Sequence, residues 1–195
     1  MGYKTIFKLG FEEVKKLDEA FTGIVIQPNL SIPKNQIEFK AVYQAFVEEV
    51  SELMQFIEEN KKGKIYREGT LDEVADCFNF ATLMFIRSGL TFNSIPAHYR
   101  WQRDKTQRFF YDDIRIGKTL FNCVTKFGMV CNLLKNRPWK QSNYPLDLIE
   151  FRQKALDAYI TFLDCINSFS IEEGILEKAI LNKINVNYNR MKQNY

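Results

Sequence analysis

The chain has 195 residues, of which 46% are hydrophobic, and its formal net charge is only +3. This length and composition predict a single domain over residues 1–195 with a sizeable core, and the small net charge argues against broad electrostatic binding of nucleic acid. The four widely spaced cysteines indicate reduced thiols, and no apolar run is long enough to span a bilayer, so we expect a cytoplasmic protein without a membrane partner.

Six helices are predicted along the chain, separated by segments that contain proline, glycine or asparagine. No stretch shows the alternation of apolar and polar residues that is typical of strands. The predicted fold class is therefore all-α, with the segment from about 91 to 145 as a candidate helical subdomain. We predict the helices over residues 11–21, 34–60, 70–88, 114–134, 146–168 and 170–191.

The predicted helices have apolar residues at intervals of three or four positions, which favours one buried face on each. The second and third helices are joined by a short connection and should form an αα-hairpin. We expect buried faces at Val14, Leu17 and Phe21 in the first helix and at Val42, Phe46, Val50, Leu53 and Ile57 in the second.

Three helix ends carry recognisable signals. The spacing of Thr70 and Glu73, and that of Ser170 and Glu173, matches a capping box, in which a hydroxyl and a carboxylate each accept a backbone N–H at the start of a helix. Gly89 follows the third predicted helix, where a glycine favours termination.

Two acidic clusters lie on the helices of the predicted hairpin. Glu49 and Glu52 share one face of the second helix, and Glu73 and Asp76 share one face of the third. Glu49 and Asp76 lie beside apolar faces, where an unpaired carboxylate is costly. Converging carboxylates commonly bind a hard divalent cation, so the pattern predicts a Mg²⁺ site between the two helices. The alternative is that these acids are solvated.

The last predicted helix has a polar face formed by Lys183, Asn187 and Arg190, which are spaced at i, i+4 and i+7. One interpretation is a phosphate clamp, because lysine and arginine bind phosphate oxygens well. The other is a solvated basic end that complements the helix dipole.

These motifs resemble the signature of a known family. Glu48-Glu49-x-x-Glu52 followed by Glu73-x-x-Asp76 resembles the all-α nucleoside triphosphate pyrophosphohydrolases, the MazG-like and dimeric dUTPase superfamily. Within it the dimeric dUTPase branch is most similar, and the likeness spans nearly the whole chain. Further motifs similar to that branch are Leu17-Asp18-Glu19-Ala20-Phe21, Asn79-Phe80, Arg137-Pro138-Trp139-Lys140 and the C-terminal run from Asn187 through Arg190 to Tyr195.

The resemblance implies a helical bundle with a four-helix metal-binding core and a homodimer related by a two-fold axis. It implies hydrolysis of dUTP, with dUDP as a candidate second substrate, to dUMP and pyrophosphate. That activity would clean the nucleotide pool and supply a precursor of dTTP. The implied cofactor is Mg²⁺, as two or three ions, with Mn²⁺ as a substitute.

The resemblance also implies roles for particular residues. The metal ligands would be Glu49, Glu52, Glu73 and Asp76, with Glu49 as the base that takes a proton from the attacking water. The implied substrate-binding residues are Asn79 at the deoxyribose or base, Lys183 and Arg190 at the phosphates, and Asn187 and Tyr195 closing over the nucleotide.

The chain departs from the family pattern at a few positions. Met191 stands where the family has Gln, and Asn194 where it has Gly. Lys15-Lys16 stands where a glutamine that recognises uracil is expected, and Gln27 or Asn29 are candidate substitutes. A broader pyrophosphohydrolase that acts on dCTP or other deoxynucleoside triphosphates therefore remains an alternative, as does a non-catalytic helical binding module. The Lys, Asn, Ile and Phe bias indicates an AT-rich genome or a phage, and a phage origin would move the expected location to the host cytoplasm.

Overall fold

The fold is known from a computed structural model that describes residues 3–22, 29–59, 68–96, 113–134, 146–169 and 171–193. These ranges contain six α-helices and no strands, so the all-α prediction is confirmed. No helix among them has the length and apolarity needed to cross a membrane. The helices are α1 (Tyr3–Thr22), α2 (Pro33–Glu59), α3 (Glu68–Arg87), α4 (Asp113–Leu133), α5 (Leu148–Ser168) and α6 (Glu173–Lys192).

Four of the helices form a closed group, in which α2 packs against α3, α3 against α5, α5 against α4, and α4 against α2. The other two, α1 and α6, pack against each other and against α3. The helix α3 therefore belongs to both groups, and its two sides face different environments.

The buried face of α2 lies where the apolar spacing predicts it. Phe46 is at its centre, and its ring centroid is 5.2 Å from that of Phe127 and 5.8 Å from that of Phe162. These edge-on ring contacts join α2 to α4 and α5 across the core. The predicted residues Val42, Phe46, Val50 and Leu53 are buried, and Ile57 is partly buried against the core.

The register between α2 and α3 depends on a close approach at Gly69, in the first turn of α3. A Cβ atom at this position would lie 2.8 Å from the ring of Phe56, so a side chain here would displace the ring. At the other end of the pair, Arg87 of α3 lines a groove together with Lys34 of α2. The two helices are therefore antiparallel, and Glu49 and Glu73 lie at the same level.

The end of α3 agrees with the prediction. Gly89 has a φ of +79°, a backbone conformation that glycine adopts without strain. A Cβ atom there would lie 2.8 Å from the guanidinium of Arg152, which also donates a hydrogen bond to the carbonyl oxygen of Ser88. Glycine is therefore favoured by the turn, and a side chain at this position would also displace the guanidinium of Arg152.

Predicted bounds agree with the observed ones to within about three residues, except at the start of α1. This helix begins at Tyr3, eight residues before the predicted start at Phe11. The prediction that Phe21 belongs to its buried face is wrong, because the side chain is 57% exposed. One turn earlier in α1, Asp18 forms an ion pair with Arg87 of α3, and this pair connects the two helices at that end of their contact.

Neither predicted capping box is formed as proposed. The helix α3 begins at Glu68, so Thr70 lies inside its first turn, where its side chain is buried, and is not the N-cap. The helix α6 begins at Glu173, whereas a box with Ser170 would require this residue to be the third of the helix. The residue at its N-cap is Glu172, whose side chain forms no capping hydrogen bond.

The candidate subdomain of residues 91–145 stays a prediction, since much of it lies outside the described ranges. Its described part includes the single-turn 3₁₀ helix Phe92–Ser94 and the helix α4.

Candidate metal centre

Three carboxylates from two helices converge at the α2–α3 contact. One carboxylate oxygen each from Glu49, Glu52 and Glu73 lies within 4.8 Å of the others. The spacing of Glu49 and Glu52 puts both on one face of α2, and the antiparallel register brings Glu73 of α3 opposite them. The two acidic helix faces of the predicted hairpin thus lie opposite each other, with three of the four predicted acids in the converging group.

The fourth predicted ligand, Asp76, is next to the triad but is engaged elsewhere. It lies one turn after Glu73 on α3 and is buried. Its carboxylate oxygen Oδ2 is 2.5 Å from Nζ of Lys183 on α6. This ion pair ties α6 to α3 at the level of the acidic cluster. Asp76 as a metal ligand stays a prediction.

Three carboxyl groups at the site, those of Glu49, Glu73 and Asp76, have a raised pKa. Burial, together with the negative charges of Asp76, Glu52 and Glu73, raises the pKa of Glu49 to about 7. Burial and the charges of Asp76 and Glu52 also raise the pKa of Glu73. Burial raises the pKa of Asp76, although the hydrogen bond from Lys183 opposes the shift. A bound cation would relieve this repulsion.

Two buried polar groups at the site lack partners within the described ranges. The side chain of Asn79 is 7% exposed, and neither its Oδ1 nor its Nδ2 forms a hydrogen bond there. The Oε2 atom of Glu73 is likewise buried and unpaired among those residues. Unpaired buried polar atoms cost free energy, which a ligand can recover by bonding to them.

The donor set fits Mg²⁺. Hard divalent cations take oxygen ligands, and three carboxylates with one unpaired buried oxygen supply them. The chemistry of the carboxylates is thus compatible with the predicted cofactor. The amide of Asn79 both donates and accepts hydrogen bonds, so it suits an organic ligand better than a metal ion.

A groove of about 400 Å³ is lined by residues of α2 and α3 that begin one helical turn away from the acidic cluster. Its walls come from the helix turns next to the acids, with Ala45 four residues before Glu49 and Phe80 four residues after Asp76. The volume is within the range of roughly 300–1,000 Å³ that is common for small-molecule sites. The lining residues are Thr22, Lys34, Glu38, Ala41, Val42, Ala45, Phe80 and Arg87.

Sequence reasoning missed this groove and the ion pair of Asp18 and Arg87 at its far end. A signal for the groove was available, because Ala41 and Ala45 lie on the same face of α2 as Glu49. Small side chains on a helix face that faces another helix leave space between them. No sequence signal links Asp18 to Arg87.

The predicted phosphate-binding residues on α6 differ in their environments. Burial lowers the pKa of Lys183, but the hydrogen bond to Asp76 and the negative charges of Asp76, Glu73 and Asp72 together outweigh burial, so the pKa is above its usual value. Asn187 is half-buried and Arg190 is exposed. Arg190 is close enough for its positive charge to lower the pKa of Asp76. Tyr195 lies outside the described residues.

The residues at the expected position of the uracil-recognising glutamine are paired along their own helix. Lys16 donates a hydrogen bond to Glu13 at 2.5 Å, and Nζ of Lys15 lies 3.8 Å from a carboxylate oxygen of Glu19. Asn29 accepts a hydrogen bond from the backbone N–H of Ser31. The predictions that involve Gln27, Asn194 and the Arg137-Pro138-Trp139-Lys140 motif lie outside the described residues.

Comparison of the chain with protein families, with curated proteins and with solved structures finds no match. The class that the fold and the site define on their own is an all-α protein with a carboxylate cluster beside a groove.

Proposed function

We propose that the protein is a Mg²⁺-dependent nucleoside triphosphate pyrophosphohydrolase, with dUTP as its substrate and dUMP and pyrophosphate as its products. The observation that carries the proposal is the convergence of Glu49, Glu52 and Glu73 within 4.8 Å beside a groove. The resemblance of the acidic motifs to the dimeric dUTPases supports the choice of substrate. The same resemblance supports Asp76 as the fourth metal ligand.

The site has separate places for the parts of a nucleotide. The acidic cluster suits the metal-bound phosphates, and the adjoining groove suits the nucleoside. Phe80 faces the small residues Ala41 and Ala45 across this groove, which favours a flat ring between them. The unpaired amide of Asn79 would form hydrogen bonds with the base or the deoxyribose.

The reaction is the attack of water on the α-phosphorus, which breaks its bond to the oxygen that bridges to the β-phosphate. Glu49 accepts the proton of the water, since its carboxylate lies in the cluster where the metal and the attacking water would be held. Lys183 and Arg190 stabilise the negative charge of the leaving pyrophosphate. Bound Mg²⁺ would neutralise the phosphates and lower the pKa of the water.

The test is product analysis after the protein is incubated with dUTP and Mg²⁺, with and without a chelator. We expect dUMP and pyrophosphate in equal amounts, and no turnover when the metal is removed. The release of inorganic phosphate instead would contradict the proposed position of cleavage. The absence of any product would favour the non-catalytic binding module, which calorimetry with Mg²⁺ and a non-hydrolysable dUTP analogue would then detect.

Melting experiments give a second test that does not require turnover. Mg²⁺ binds tightly where substrate phosphates complete its coordination, and binding to the folded state raises its stability. Mg²⁺ and the analogue together should therefore raise the melting temperature more than the sum of their separate shifts. Equal shifts from Mg²⁺ with and without the analogue would indicate a structural ion.

A broader specificity is the second candidate. Lys15 and Lys16, which stand where a uracil-recognising glutamine is expected, are paired with Glu19 and Glu13 of their own helix. This observation favours a weaker selection of the base. A panel of dUTP, dUDP, dCTP and dTTP under identical conditions measures it. Similar kcat/KM values for dUTP and dCTP would support the broader function.

The proposed homodimer rests on the resemblance. The molar mass of the protein in solution, measured by light scattering, tests it. A mass equal to that of one chain at all concentrations would exclude the dimer.

A further inference from the structure

We propose that Lys183 is a resident counter-ion of Asp76 that competes with metal alone and moves to the phosphates when nucleotide binds, so that the lysine couples the two binding events. This inference rests on the proposed function, because it concerns how the same site fills. It adds a role in the nucleotide-free protein to the phosphate contact already considered for Lys183.

The first observation is the division of the four acids. The oxygens of Glu49, Glu52 and Glu73 converge within 4.8 Å, whereas the carboxylate of Asp76 is bound to the ammonium of Lys183 at 2.5 Å. Asp76 lies one turn from Glu73 on the same helix face. The lysine therefore keeps Asp76 apart from the other three acids.

The second observation is that the pair is largely withdrawn from water. The side chain of Lys183 is 20% exposed and that of Asp76 is 9% exposed. Attraction between opposite charges is stronger in such a place than at the surface, and so is repulsion between like charges. The ammonium stabilises Asp76 and, at the same time, disfavours a divalent cation at the neighbouring triad.

The third observation is that one carboxylate oxygen of the cluster remains available to a cation. The Oε2 atom of Glu73 is buried and lacks a hydrogen-bond partner among the described residues. A cation that used this oxygen would also approach Asp76, and the ammonium would have to leave. The flexible stem of a lysine allows its charged group to move to another anion nearby.

A triphosphate supplies that second anion. When phosphates are present, Lys183 gains a new partner and Asp76 becomes free to join the metal ligands. Metal alone has to compete with the ammonium of Lys183 for Asp76, which weakens its binding. Nucleotide alone is repelled by carboxylates whose charge no metal neutralises. The two ligands therefore favour each other, and by linkage each increases the affinity of the protein for the other by the same factor.

The experiment compares three variants on α6 by calorimetry with Mn²⁺ alone, without nucleotide. Lys183→Met removes the charge and keeps most of the stem, and Lys183→Arg keeps the charge. Lys178→Met removes a charge from an exposed position on the same helix and is the matched control. We expect Mn²⁺ to bind about tenfold more tightly to Lys183→Met, because the competing charge is gone. Lys183→Arg and Lys178→Met should bind Mn²⁺ like the wild type.

The same variants are then titrated with Mn²⁺ in the presence of a non-hydrolysable dUTP analogue. The factor by which the analogue tightens Mn²⁺ binding should fall in Lys183→Met and stay unchanged in Lys178→Met. Unchanged or weaker Mn²⁺ binding by Lys183→Met in the absence of nucleotide would overturn the proposal. Circular dichroism of each variant controls for folding.

A measurement on the wild type keeps the proposal testable even if Lys183→Met fails to fold. The side chain of Lys183, which is acylated through its neutral amine, should react faster once Mn²⁺ at saturating concentration has displaced it from Asp76, as measured by mass spectrometry of the labelled peptide. The labelling of Lys178 should not change. An equal rate at Lys183 with and without saturating Mn²⁺ would mean that metal does not compete with the ion pair, and would overturn the proposal. None of these readouts requires turnover, so an absence of dUTP hydrolysis would contradict the proposed function and leave this test intact.

Discussion

The helix pairs α2–α3 and α4–α5 are both extensively packed and differ in what their contacts contain. The α4–α5 contact is apolar, with Phe127 of α4 and Phe162 of α5 fully buried. An ion pair between Lys126 of α4 and Asp157 of α5 lies at the edge of this contact, where both side chains reach solvent. The α2–α3 contact has the same kind of apolar core on one side and, on the other, the carboxylates of the acidic cluster.

This difference between the two helix pairs indicates that the α4–α5 contact serves stability and the acidic side of the α2–α3 contact serves binding. An apolar contact needs no explanation beyond the free energy gained by burial. Carboxylates that raise the pKa of one another oppose folding when they are ionised. A cluster that costs stability is better explained by binding, and perturbed carboxylates at a groove are typical of functional sites. Substitutions in the two helix pairs should therefore change different properties.

The largest expected effect is the loss of turnover in Glu49→Gln. The change removes the proposed base and a metal ligand with little change in volume, so kcat should fall roughly 10⁴-fold. Steady-state kinetics with dUTP measures it. The matched control is Glu48→Gln, since Glu48 is the exposed neighbour of Glu49 on α2. Equal activity of both variants would mean that Glu49 has no catalytic role.

The next effect is on stability and concerns the other helix pair. Phe162→Ala removes a fully buried ring that contacts Phe46 of α2 and Tyr159 of its own helix. It should lower the free energy of unfolding by about 3–5 kcal/mol, as measured by urea denaturation. The control is Ile149→Ala on the same helix, where the side chain is 81% exposed and the expected change is below about 0.5 kcal/mol. Similar losses in both variants would contradict the assignment of the core.

A smaller effect on catalysis is expected from Arg190→Ala, at the end of α6. Arg190 is exposed and belongs to the polar face that includes Lys183. Loss of a charge that is proposed to stabilise the leaving pyrophosphate should lower kcat about 10²-fold and also weaken binding, with little change in stability. Lys192→Ala in the same last turn is the control. A near-normal kcat in Arg190→Ala would favour the solvated basic helix end.

The smallest effect is a pH dependence of stability in the metal-free protein. The pKa of Glu49 rises from 4.5 to about 7 on folding, so the folded state binds its proton more tightly. The stabilising contribution of the protonated carboxyl is complete below about pH 4.5 and is lost as the pH rises through about 7. In chelator, Glu49→Gln should match the wild type near pH 4.5 and melt at a higher temperature above pH 7. A difference that is constant with pH would exclude titration of Glu49 as the cause.

The sequence predicted much of the fold because helix periodicity is a local property. The spacing of Val42, Phe46, Val50 and Leu53 was sufficient to identify the buried face of α2. Gly89 marked the end of α3 because a left-handed turn there requires glycine. Periodicity gives only the direction of a side chain, however, and Phe21 at the expected angle is exposed because it lies at the end of α1.

The sequence by itself determined that Glu49 and Glu52 share one helix face, and that Glu73 and Asp76 share another. Only the tertiary structure decided which acids converge, because that depends on the register of α2 against α3. It also decided that Lys183 of α6 pairs with Asp76, more than 100 positions earlier in the chain, and that Asn79 is buried without a partner among the described residues. Such long-range contacts follow from how whole helices pack, and neighbouring residues in the sequence carry no record of them.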